Sequence, residues 1–248
     1  MTEAHSKFNR VARVSLVCGV LGVLLPIVGA LGTRIEVWSF IVGAPLVLVG
    51  FLSALSAVIL GVIAMLRLRQ IGGRLVVSAH GAALGLLICL YLGGQVLATL
   101  PAPLIHNVST DLEDPPTFTL APTLRPESSN SLFYESERIG PIQREAYPDL
   151  KPLVVAVTHD ELHRQVKRVL EEMGMTVTRD DPVAGEIEAI ATTFWFGFED
   201  DLVVRLREVE DGTRMDMRSV SRVGLGDMSA NANRIAEVIE RVHSMNTP

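Results

Sequence analysis

The chain has 248 residues, a net charge of −6 and 48% apolar residues. Its mean hydropathy of +0.34 is high for a water-soluble globule, so membrane segments are expected. Residues 1–100 hold 7 Lys+Arg against 2 Asp+Glu and residues 101–248 hold 15 against 26, so the two parts carry +5 and −11. An acidic carboxyl part argues against nucleic acid as a partner. Both cysteines, Cys18 and Cys89, lie in apolar runs, so the carboxyl part has neither disulfides nor cysteine-ligated metal.

Residues 1–13 read as a cytoplasmic N-terminus and residues 14–100 as a three-helix transmembrane region. The runs Val14–Thr33 and Val37–Leu66 carry no charge, and Leu75–Leu100 carries only His80. Each is long enough to cross a bilayer, the second with room to tilt or to kink at Pro45. The first run is too long for a signal peptide and lacks a small-x-small cleavage site. Lys7, Arg10 and Arg13 precede the first span, and Arg67, Arg69 and Arg74 lie between the second and third. With three spans these segments share a side, and the excess of positive charge makes it cytoplasmic. Everything after Leu100 is then outside, in the periplasm where there are two membranes. Gly81 with Gly85, and Ser53 with Ala57 and Gly61, give the four-residue spacing that lets helices approach closely. With no charge at membrane depth, an anchor or a homo-oligomer contact is the expected role rather than transport.

Residues 101–152 are proline-rich and read as an irregular segment that wraps the outer domain. Its prolines are expected to break helix and central strand, and Phe118, Phe133 and Tyr147 are candidate anchors. Residues 153–248 form the domain core. Leu153–Val157 is a short strand. Thr158 and Glu161 form a capping box for a helix that runs to Met173 and ends at Gly174. Met175–Arg179 is a strand, with a turn near Pro182. Glu186–Phe196 and Leu202–Val209 alternate as strands, Asp211-Gly212 is a hairpin signal, and Arg214–Ser221 returns antiparallel. A helix over Asn231–His243 places Ile235, Val238, Ile239 and Val242 on one face. The expected fold is therefore three transmembrane helices plus an α+β domain, an antiparallel sheet with two helices packed on one face.

With Asp211-Gly212 as the loop, Arg205 faces Arg218 and Arg207 faces Asp216. Opposed like charges need compensation, from Glu186 or Glu188, from solvent, or from an anionic ligand held by the two guanidinium groups. Downstream, Ser219, Ser221, Arg222, Asp227, Asn231 and Arg234 lie on or beside a glycine-containing loop entering a helix, where backbone amides can hold an anion. An ordinary turn capped by Asp227 or Ser229 is the plainer reading. Arg205, Asp216, Arg218 and these six residues are the candidate ligand site. No catalytic residue, metal or cofactor is assigned. His159 and His163 have ligand spacing on a helix but no third ligand.

Several stretches carry a family resemblance: His106–Asp111, Pro115–Phe118, Tyr147–Asp149, Ile187–Ala189, Phe198–Asp201 with Val204 and Arg205, and Asp216–Gly224 with Asp227, Asn231, Arg234 and Ile235. Together they resemble domain of unknown function 1499 over most of residues 104–243, with Arg218-Ser219-x-Ser221-Arg222-x-Gly224 the most specific part. The resemblance implies that the proline-rich segment belongs to the domain, and that the protein is of the bacterial envelope or an organelle. It implies no activity. Similar sequences commonly have Gly where this chain has Met228-Ser229. Three functions are open. One is an envelope binding or assembly module recognising an anionic small molecule, a lipid headgroup or another envelope protein. Another is a hydrolase or transferase on an anionic substrate, with Asp216 or Asp227 as acid or base. The third is a structural assembly factor whose spans pack with partner helices or with a second copy.

Overall fold

A computed structural model describes residues 2–247; Met1 and Pro248, the outermost residues of the terminal segments, lie outside the described residues. The chain divides into two compact units. One comprises residues 1–100 with Phe194–Gly197, and the other Pro101–Thr193 with the rest of the chain.

The first unit contains α1 (Thr2–Arg34), α2 (Phe40–Gln70) and α3 (Val76–Thr99). All three are long and apolar enough to cross a membrane. They touch one another through small residues, as the four-residue spacing requires. A Cβ on Gly85 would fall 2.4 Å from the Ala54 carbonyl, and one on Gly81 would fall 2.3 Å from Ser15 Oγ. Ser15 Oγ donates to the Ala57 carbonyl at 2.8 Å and Ser53 Oγ to that of Cys18 at 3.0 Å. The small-residue stripes are thus used within one chain. Within the same unit, Trp195 Nε1 donates to the Tyr91 hydroxyl, and Phe196 meets Phe40 edge to face.

The second unit is α+β. Its strands are β1 (Asn107–Ser109), β2 (Leu153–Val155), β3 (Thr176–Asp181), β4 (Glu186–Thr192), β5 (Glu199–Val209) and β6 (Gly212–Ser221). They form one antiparallel sheet in the order β1-β6-β5-β4-β3, and β2 pairs with the other half of β6. Helices α6 (His159–Glu172) and α7 (Ala230–Met245) cover one face. Thr158 Oγ1 accepts from the Glu161 amide, and so starts α6 where the capping box predicts. Strand alternation directs Ile187, Ala189, Leu202, Val204, Leu206, Met215 and Met217 to that face, against Leu162, Val166, Val169, Ile235 and Val238.

The proline-rich segment is more regular than its composition predicts. It supplies β1, a single turn α4 (Ala121–Leu124), and α5 (Ser136–Ala146) with Pro141 inside it. Pro141 deletes one helical hydrogen bond, and burial of Ile139 and Gln143 on the inner side offsets the loss. Phe133, an expected anchor, is 73% exposed, whereas Tyr147 packs against the core. The fourth strand ends at Thr192 rather than Phe196.

The β5–β6 hairpin also corrects the expected register. Val209 pairs with Gly212, so the loop is Glu210-Asp211. Gly212 has φ +133°, and a Cβ there would fall 2.1 Å from the Val155 carbonyl of β2. The positive-φ backbone at the turn and the close approach of β2 therefore both require glycine at this position. Arg205 consequently faces Asp216, Arg207 faces Arg214, and Arg218 faces Val203.

Candidate functional site

The sheet divides the nine candidate residues between its two faces. Arg205, Asp216, Arg218 and Arg222 alternate onto the face away from the helices, while Ser219 and Ser221 point to the helix side with Asp227, Asn231 and Arg234.

On the first face the like-charge pair is Arg207 and Arg214, and carboxylates from the chain itself compensate it. Asp216, fully buried, accepts from Arg207 Nη2 at 2.6 Å, from Arg205 Nη2 at 3.2 Å and from Arg214 Nε at 2.8 Å. Asp111 pairs with Arg214 at 2.6 Å, and Asp114 with Arg205 and Arg207 at 3.1 Å each. Burial raises the Asp111 carboxyl, but the amides of Asp114 and Glu113 with Arg214 and Arg205 outweigh it and hold it below its ordinary value. Hydrogen bonding to Asp216 raises the Arg214 guanidinium against its burial. The two glutamates expected to compensate have other partners. Glu186 pairs with Arg179. Buried Glu188 accepts the amides of Thr119, Leu120 and Ala121.

Arg218 is buried, and among the described residues no carboxylate comes within ion-pair distance of it. Its Nε donates to Asn107 Oδ1 at 3.0 Å, Nη1 to the Pro116 carbonyl at 3.1 Å and Nη2 to that of Leu132. The guanidinium carbon lies 5.4 Å from the ring centroids of both Phe118 and Tyr134. Burial lowers its pKa to about 10, which still leaves it charged at neutral pH, and pushes the Tyr134 hydroxyl up to about 12. Arg218 thus clamps three separate stretches of the proline-rich segment onto β6. Arg222 grips Asp201 through Nε at 3.0 Å and Nη2 at 2.8 Å, and also pairs with Glu199. Arg125 reaches the same Asp201 at 2.6 Å.

On the helix side, Asn231 Nδ2 donates to Ser221 Oγ at 2.9 Å, and its Oδ1 accepts from Ser219 Oγ at 2.5 Å. Arg234 Nη1 donates to Asn231 Oδ1 at 2.7 Å, and Nη2 pairs with Asp200 at 2.7 Å. Asp227 accepts the amides of Ser229 and Asn231 at 3.0 and 2.9 Å, and so fills the position an anion would take at the start of α7. Burial raises its pKa against those two bonds. The two aspartates weighed as acid or base are therefore committed, Asp216 to three arginines and Asp227 to a helix start. His163 Nε2 lies 2.7 Å from Asp180 Oδ1.

One arginine of the candidate set also lines a cavity. Arg234 borders a cavity of about 300 Å³ with Met173, Met175, Ala191, Thr192 and Glu237, between the end of α6, the end of β4 and the first turns of α7. Asp111, Asp114, Arg125, Asp200 and Asp201 do not stand out as site residues in the sequence. The acidic pair Asp200-Asp201 at the start of an alternating strand is the available signal, since inward-pointing carboxylates need cationic partners.

Three helices fit to cross a membrane, followed by an α+β domain whose sheet is closed on its outer face by a proline-rich strap, define the class of protein. Residues 107–242 match the family described as Protein of unknown function (DUF1499), more than half of the chain, and the chain belongs to that family. The match begins at β1 and so takes in the strap. No curated protein matches the chain.

Proposed function

We propose that this chain is a membrane-anchored binding module of the cell envelope. Its N-terminus is cytoplasmic, and its folded domain lies outside the cytoplasm, in the periplasm where there are two membranes. The domain takes an anionic small molecule or a lipid headgroup beside Arg234. The basic residues at Lys7, Arg10 and Arg13 and at Arg67, Arg69 and Arg74 support the orientation. The observation that carries the binding reading is the cavity that Arg234 shares with Met173, Met175 and Ala191. An arginine in a lining that mixes Met173, Met175 and Ala191 with Thr192, Asn233 and Glu237 suits an amphiphile with a negative end. Arg234 is itself paired with Asp200 and Asn231, so what sets it apart from the other arginines, which have acids, carbonyls or rings of the same chain as partners, is its place on this cavity.

Native mass spectrometry of the full chain in lipid nanodiscs tests this reading. Thr192→Phe fills the cavity while sparing the Arg234 hydrogen bonds. An adduct on the wild type that disappears in Thr192→Phe is the expected result. An adduct retained by the filled variant, or none on the wild type, refutes the reading.

A further inference from the structure

The second unit concentrates exposed apolar side chains at one end of its sheet. Leu225 is 83% exposed, Leu104 78%, Phe133 73% and Met228 67%. The pairing register brings them to a common end. Asp200 faces Ser221 and Asn107 faces Val220, so the loop after β6 and the approach to β1 both lie beyond the end at which β5 starts. Hydrogen bonds tie these loops together. The Asp227 amide donates to the Ile105 carbonyl at 3.2 Å, and Asn130 Nδ2 to the Gly224 carbonyl at 2.7 Å. A Cβ on Gly226 would touch Leu104 at 3.3 Å. At the opposite end the two turns are Glu210-Asp211 and the segment Pro182–Gly185, where Val183 is strongly exposed and Val209, next to the first turn, is 38% exposed.

Apolar side chains gathered at one end of a domain mark a surface that is covered in use. Covalent geometry identifies what lies closest. Helix α3 ends at Thr99, and Leu104 follows Leu100 by four residues, a reach of about 14 Å at most. Leu104 is hence held within reach of the membrane face from which the chain emerges. The backbone at Met228 points the same way. Its φ of +53° is a left-handed conformation that a non-glycine residue adopts at a cost, and it holds an exposed methionine immediately before the N-cap of α7.

We propose that the end of the sheet carrying Leu104, Phe133, Leu225 and Met228 is seated in the interfacial layer of the bilayer, with these side chains among the lipid glycerols and upper acyl chains. The contact is apolar and does not require anionic lipid. It rests on the reading that α3 crosses the membrane.

The test uses the full chain in nanodiscs of zwitterionic phosphatidylcholine, with Trp38→Phe and Trp195→Phe removing both native tryptophans. Single tryptophans are then introduced by Leu225→Trp at the proposed contact, Val183→Trp at the far end and Leu87→Trp within α3. All three positions are exposed, so the substitutions disturb no packing. Lipid brominated high on the acyl chain is expected to remove most of the emission from Leu225→Trp and none from Val183→Trp, with aqueous acrylamide doing the reverse. Emission from Leu225→Trp that follows Val183→Trp, while Leu87→Trp is quenched by brominated lipid, overturns the proposal and leaves the anchor standing. Failure of brominated lipid to quench Leu87→Trp removes the anchor reading and the proposal with it.

Discussion

On the helix side of the sheet, Leu202, Val204, Leu206, Met215 and Met217 bury against α6 and α7, while on the opposite side Asp216 and Arg218 bury beneath the proline-rich strap and the half-buried Arg205, Arg207 and Arg214 pair with its carboxylates or with Asp216. The same strands close both layers, so the difference lies in the chemistry of the cover. Apolar contact is non-directional and tolerates exchange of shape at constant volume. A buried guanidinium needs its acceptors in defined places, and a partly satisfied polar layer is worse than an apolar one. A strap with little regular structure cannot offer a broad apolar stripe, but its carbonyls, Asp111 and Asp114 are point acceptors. Arginine reaches such acceptors from a strand, and it fixes the strap in a single position.

The largest effect that can break this comparison lies at Arg218. Arg218→Ala removes two ring contacts and leaves the Asn107, Pro116 and Leu132 oxygens without their donor, a loss of about 4 kcal/mol. Leu202→Ala on the helix side should cost about 3 kcal/mol. The conservative exchanges separate the faces more sharply. Leu202→Met is expected to cost below about 1.5 kcal/mol, whereas Arg218→Lys keeps the charge, loses the fork and remains strongly destabilised. Hydrogen exchange at the β6 amides of the full chain reads both. If Arg218→Lys costs no more than Leu202→Met, the two faces do not differ in kind.

The same contrast explains what can be read from the sequence. Helix α6 is legible because Thr158, Glu161 and the period of Leu162, Val166, Val169 and Leu170 are local signals, and β4, β5 and α7 are legible from alternation or period. Helix α5 is not, because Pro141 disfavours a helix locally and only the burial of Ile139 and Gln143 outweighs that penalty. The hairpin places Gly212 at the start of β6 rather than in the loop, and its close neighbour there, Val155 of β2, is far away in sequence. Partners of the arginines are hidden for the same reason. Asp111 and Arg214 are 103 residues apart, and nothing between them marks the pairing.

A smaller effect lies at Met228. Met228→Gly should relieve the left-handed backbone and stabilise the domain by about 1 kcal/mol. If the loop is seated on lipid, the same substitution weakens that seating, seen as increased hydrogen exchange in the loop after β6. A variant more stable and equally well protected would separate the strain from membrane contact.

The smallest effect concerns an ionic contact at the β3 edge of the helix side, where His163 and Lys167 of α6 hold Asp180 of β3. Hydrogen bonds from His163 and then Lys167 hold the Asp180 carboxyl below its ordinary value despite some burial. An acid with a lowered folded pKa adds stability that is present above the unfolded value and is lost as pH falls through the folded one. The window therefore opens at about pH 4 and extends downward. Asp180→Asn should lower stability slightly at neutral pH and flatten its decline below about pH 4. Asp111, also lowered, keeps a second acid-sensitive contact on the strap side. Protection of the β3 amides, taken relative to the intrinsic exchange rate at each pH, should lose its decline at acid pH in Asp180→Asn, while protection beside Arg214 on β6 keeps it. If both lose it together, the two faces open as one unit, and the difference in their chemistry does not extend to how they come apart.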